Sequence, residues 1–173
     1  IVVNILRGVK FNTLSPKYSI EIRCSLSSSS ALWRNAGMEF NQPFLQLPWR
    51  FDSQLLAREV ESLPQNFWLD HPSGLPGNSA VPLVSVNGEM NHAFDGAMQA
   101  TRALRGSPYL HQTVASFGEV VARSRLMRLA PGAQVAEHVD FNYHWVSRVR
   151  IHVPIVTDPS VIFYCGGESV HMA

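Results

Sequence analysis

The sequence predicts an α+β domain, mainly β with supporting helices, and three observations carry that prediction. A capped amphipathic segment near residue 53 and two further helical stretches fill the middle of the chain. After residue 120 the pattern changes to β-branched, aromatic and alternating residues, divided by Pro131-Gly132 and by Asp158-Pro159-Ser160. With 173 residues, 46% hydrophobic and 16% charged, the chain can build one ordinary core.

Each element follows from local chemistry. Residues 1–37 hold a β-like run at 18–22 and a serine tract at 25–30, and read as an N-terminal extension with a flexible linker. The folded domain is expected to span 38–173, opening where Met38 changes the composition. Asp52 is placed to cap a helix over 53–63, on which Leu56, Val60 and Leu63 share a face. A loop rich in Pro, Gly, Ser and Asn follows over 71–82, then a short strand at 82–86. Helices are expected at 93–104, ended by Arg105-Gly106, and at 109–117 after Ser107-Pro108. Strands are expected at 124–129, 148–156 and 161–164, as parts of a jelly-roll half-barrel.

Function classes narrow quickly. A formal charge of +1, from 14 basic and 13 acidic residues, lacks the footprint of a nucleic-acid binder. No apolar run reaches the roughly 18 residues of a membrane span. Cys24 and Cys165 read as two thiols in a reducing compartment, so a cytoplasmic location is expected. The expected partner is a polypeptide or small-molecule substrate, with neither nucleic acid nor membrane.

The sharpest feature is His138-Val139-Asp140. On an extended segment a period of two sends the imidazole and the carboxylate to the same side. Together they make two-thirds of a 2-His-1-carboxylate triad, which holds Fe(II) while leaving coordination positions open. Ten residues past His138 comes a strand with Arg148, Arg150 and His152 on one face and Val149, Ile151 and Val153 on the other. Long polar residues on such a strand need anionic or hydrogen-bonding partners, and a dicarboxylate would serve. The bland alternative is a solvated outer face with the valines packed inward. His71, His92 and His111 lack ligand spacing and read as hydrogen-bonded or exposed imidazoles. The aromatic segment 141–145 reads as a substrate rim or as simple packing.

The run from Arg128 through Pro131-Gly132 to His138, followed by Arg148-Val149-Arg150-Ile151-His152, resembles the aspartyl/asparaginyl β-hydroxylase family. The resemblance is strong over 126–167, weaker over 38–121 and absent before Met38. It implies a double-stranded β-helix (jelly-roll, cupin-like) that is incomplete at the C-terminus. It also implies an Fe(II)- and 2-oxoglutarate-dependent dioxygenase that hydroxylates an aspartyl or asparaginyl residue, or a related small molecule, and converts 2-oxoglutarate to succinate. His138 matches the family's first iron ligand, and Arg150 and His152 match residues that contact 2-oxoglutarate. Arg148 matches the first arginine of the strand. Asp140 departs from animal members but follows bacterial relatives as a metal ligand. Met127 stands where animal members place a serine. The family's distal histidine and the arginine for the cosubstrate's far carboxylate are expected beyond Ala173, and His171 reads as a strand or end histidine. Two competing classes are a degenerate jelly-roll ligand-binding domain and a cupin-type metalloenzyme.

Overall fold

In chain order the elements are β1 (Val2–Leu6), β2 (Ile20–Arg23), β3 (Phe44–Leu47), α1 (Ser53–Glu61), β4 (Leu69–Asp70), β5 (Asn78–Val86), β6 (Met98–Ala100), α2 (Arg102–Arg105), α3 (Pro108–Ala115), β7 (Val121–Leu129), β8 (Arg148–His152), β9 (Ile162–Cys165) and β10 (Glu168–His171). The computed structural model describes residues 2–6, 20–23, 43–47, 49–72, 74–118, 121–138 and 148–173. The architecture is α+β, with antiparallel sheets and few helices, as the sequence predicts.

The larger sheet has eight strands in the order β3-β2-β8-β1-β7-β5-β4, with β6 also on β5. β9 and β10 form a separate two-stranded hairpin sheet. β5 is buried at every position, which explains its nearly continuous apolar run. Pro82 is unusual in such a strand because it has no amide to donate. The register between β5 and β7 shifts between Pro82 and Val84, a bulge that accommodates it.

Helices cover one face of this sheet. Leu56 of α1, Leu104 of α2, Leu110 and Val114 of α3, and Phe117 pack with Val81, Leu83, Leu126 and Ile151. Trp49 and Phe51 stack against Phe117 at 5.3 and 5.9 Å between ring centroids. Full burial of each large aliphatic side chain contributes about 1.5–3 kcal/mol, so this layer is the main source of stability.

α1 starts as expected. The Asp52 carboxylate accepts from the Gln54 and Leu55 amides, each at 3.0 Å. α3 is held from outside, since Ser107 makes no side-chain cap and the two oxygens of Glu59 on α1 accept from the Tyr109 and Leu110 amides at 2.8 and 2.7 Å. This carboxylate at a helix N-terminus ties α1 to α3.

Two observations differ from the sequence expectations. No continuous helix covers 93–104; the segment forms β6 and the short α2 instead. Gly96 adopts φ +138°, where a Cβ would meet Val86 Cγ1 at 2.5 Å, so the chain turns tightly there and the edge of β5 recruits 98–100 as a strand. Thr101 then opens α2, donating from Oγ1 to the Pro82 carbonyl at 2.8 Å and accepting from the Leu104 amide at 3.3 Å. Second, the strand expected at 82–86 begins at Asn78, and the strand expected at 148–156 ends at His152, before Pro154. Two strands lie in the stretch before residue 38, the second overlapping the β-like run at 18–22. β1 lies between β7 and β8, and β2 lies between β8 and β3.

Candidate functional site

Alternation along β7 and β8 divides the chemistry of the sheet between its faces. Ser124 and Leu126 of β7 and Ile151 of β8 are buried on the helix-covered side. Arg123, Arg125, Arg150 and His152 therefore leave the opposite side. Val2 of β1 stands across from Arg125 on one side and from His152 on the other, and Asn4 stands across from Arg150. Arg148 stands across from Leu6 at the same parity of β8.

This second face is not a solvated exterior. Arg150 and His152 are half-buried, and Arg150 Nε and His152 Nε2 are sealed from solvent. The His152 ring meets Phe163 of β9 edge-on, with centroids 5.5 Å apart, so the β9-β10 hairpin faces this part of the sheet. His171 braces that hairpin by donating from Nδ1 to the Val161 carbonyl at 3.0 Å.

His138 follows the end of β7. The turn at Pro131-Gly132 is pinned to the loop before β5, where the Ala130 amide donates to the Gly77 carbonyl at 2.8 Å. A Cβ at Gly77 would meet the Ala133 and Ala130 methyls at 2.9 and 3.1 Å, so this close approach needs glycine. The His138 side chain is exposed, and its Nδ1 lies 2.9 Å from the Ala136 carbonyl. A carbonyl only accepts, so Nδ1 donates to it. A backbone bond of this kind fixes the ring's orientation, as it does for ligating imidazoles. Asp140, the expected partner ligand, lies outside the described residues, as do Val139 and the aromatic segment 141–145. Among the described residues, no three His, Cys, Asp or Glu side chains group to hold a metal ion.

Sequence reasoning missed a cluster on the same face. Arg123 is only 6% exposed, its guanidinium carbon sits 4.3 Å over the Phe94 ring, and its Nη2 lies 3.5 Å from His92 Nδ1. Nε2 of His92 lies 3.2 Å from the Asp70 carbonyl. His92 thus donates through Nε2 and accepts through Nδ1, which suits a neutral ring. Burial pushes its pKa below the ordinary 6.5, and Arg123 pushes it further, against the opposing pull of the Asp70 carbonyl. His71 is also held below 6.5, by burial first and then by Arg125, His138 and Arg123. The signal was present in the sequence, because Arg123 and Arg125 show the same two-residue spacing as Arg148 and Arg150.

Met127, half-buried, stands across from Ala80 on β5. Neither family models, nor curated proteins, nor solved structures give a match to this chain. Among the described residues no helix is long and apolar enough to cross a membrane.

Proposed function

We propose that this chain carries an Fe(II)- and 2-oxoglutarate-dependent dioxygenase fold of the aspartyl/asparaginyl β-hydroxylase type, on a jelly-roll scaffold whose two sheets are the large sheet and the β9-β10 hairpin. The observation that carries the reading is the pairing of Arg150 and His152 on one sealed face of β8, opposite the hairpin. That is where the resemblance puts the 2-oxoglutarate contacts.

The residues present suit the cosubstrate. Arg150 offers a planar, permanently charged fork for a carboxylate, and His152 adds an imidazole nitrogen in the same sealed space. His138 suits iron, since its Nδ1–H is tied to the Ala136 carbonyl, which orients the ring as such bonds orient ligating histidines. Asp140 would supply the carboxylate ligand two residues on. When bound, Fe(II) and 2-oxoglutarate supply an oxidant that couples decarboxylation to succinate with hydroxylation of a C–H bond. The protein's own work is to hold the cosubstrate through Arg150 and His152, to orient the His138 ring, and to exclude water between the sheets.

Titration calorimetry on the parent chain and on Arg150→Ala tests this. Loss of a charge-assisted contact of about 1.5–3 kcal/mol should weaken 2-oxoglutarate binding roughly 10- to 100-fold, with Fe(II) affinity held within about twofold. Equal loss of both affinities would remove Arg150 from the cosubstrate site. Absence of 2-oxoglutarate binding in the parent chain would favour a ligand-binding domain without oxygen chemistry.

A further inference from the structure

Residues 87–97 join β5 to β6 as a long hairpin loop, closed at its base where the Asn87 amide donates to the Ala97 carbonyl at 2.7 Å. The first part of the loop is held locally. Asn91 Oδ1 accepts from the Ala93 amide at 3.0 Å, and Asn91 Nδ2 donates to the Val86 carbonyl at 3.4 Å. The second part docks on other strands through two side chains. The His92 ring reaches the Asp70 carbonyl of β4 through Nε2 at 3.2 Å and Arg123 Nη2 of β7 through Nδ1 at 3.5 Å. Phe94 lies against the same arginine, with 4.3 Å between the guanidinium carbon and the ring centroid. Ala93 and residues 95–97 are exposed, so little apolar burial holds this stretch down.

The two ring contacts dictate one protonation state. A carbonyl only accepts, so Nε2 must donate, and a guanidinium only donates, so Nδ1 must present its lone pair. Both contacts coexist only on a neutral ring. Protonation places an N–H on Nδ1, donor against donor, and sets a second positive charge beside Arg123. Among the described residues the other titratable groups acting on the ring are Arg125 of β7 and His71 beside Asp70, both basic. The carboxylates of Asp70, and of Glu89 and Asp95 on the same loop, are exposed, where water weakens any compensation they offer. Burial and the arginines hold the His92 pKa below 6.5, so the ring is neutral at neutral pH and charges only on acidification.

We infer that His92 is an acid-operated latch, whose protonation parts the ring from Arg123 and releases residues 92–97 from β7 while β5 and β6 stay paired. Release uncovers Arg123, which is only 6% exposed with the latch closed. The device rests on the fold alone and is independent of the dioxygenase reading.

The test is nuclear magnetic resonance of the full chain across about pH 7.5 to about pH 5, the range in which an imidazole titrates. Three signals are followed together: the His92 ring, the Arg123 Nε and the backbone of 92–97. All three should change with one midpoint, below 6.5, and backbone order over 92–97 should fall from about 0.85 to below about 0.6. His92→Gln should keep the loop closed at both ends of the range, since a neutral carboxamide can donate to the Asp70 carbonyl and accept from Arg123. His92→Ala should leave it loose throughout. Loop order that stays unchanged while the His92 ring titrates would overturn the inference. An acid response that survives in His92→Gln would also overturn it, by assigning the response to His71 or another group.

Discussion

Val3→Pro is the most informative structural perturbation, because among the described residues β1 alone joins the β7-β5-β4 half of the sheet to the β8-β2-β3 half. Val3 stands across from Ser124 on one side and from Ile151 on the other, and both of those residues are fully buried. Proline there removes one ladder hydrogen bond and places its ring between two strands, at a cost of about 3 kcal/mol or more. For a chain of this size such a loss lowers the melting temperature by about 6–12 °C. Differential scanning calorimetry of the parent and the variant measures it directly. If residues 1–37 were an appended extension, the substitution would be silent. A melting temperature unchanged within error would therefore refute β1 as the bridge, and with it the sheet order proposed here.

The remaining predictions are smaller. Glu59→Ala removes the acceptor from two amides at the start of α3 and should cost about 2–3 kcal/mol in urea unfolding, with Glu59→Gln recovering part of the loss. The depressed pKa values of His71 and His92 mean that the unfolded chain takes up protons near pH 6.5 while the folded chain does not. Stability should therefore be undiminished above that pH and should fall as pH drops through 6.5, until the folded imidazoles also protonate. Melting curves between neutral and mildly acidic pH report this, and a stability that rose on acidification would contradict the environments described for both rings.

Local chemistry made much of the fold legible. Asp52 announced α1, and the alternation of Arg150 and His152 with Ile151 assigned the two faces of β8 correctly. Pairing between distant segments was beyond reach, because the five residues of β1, apolar apart from Asn4, carry no mark of which strands flank them. The segment 93–104 showed helical spacing, but the φ of Gly96 and the open edge of β5 overrode it. On β8, the shared face of Arg150 and His152 was legible from their two-residue spacing. Arg123 and Arg125 were not singled out, since neither belongs to the motif that drew attention to β8, although the same two-residue argument applies to them. The electrostatic influence of His138 on His71 was not readable either, because these segments are far apart in sequence and meet through the close approach at Gly77.

The functional account stands on His138 and Asp140 sharing one metal ion. Anaerobic calorimetry of Fe(II) with the parent chain, His138→Ala and Asp140→Ala measures that sharing most directly. The account expects saturable binding to the parent and loss of that binding in each variant, with the fold retained by circular dichroism. Fe(II) affinity unchanged in His138→Ala would contradict it.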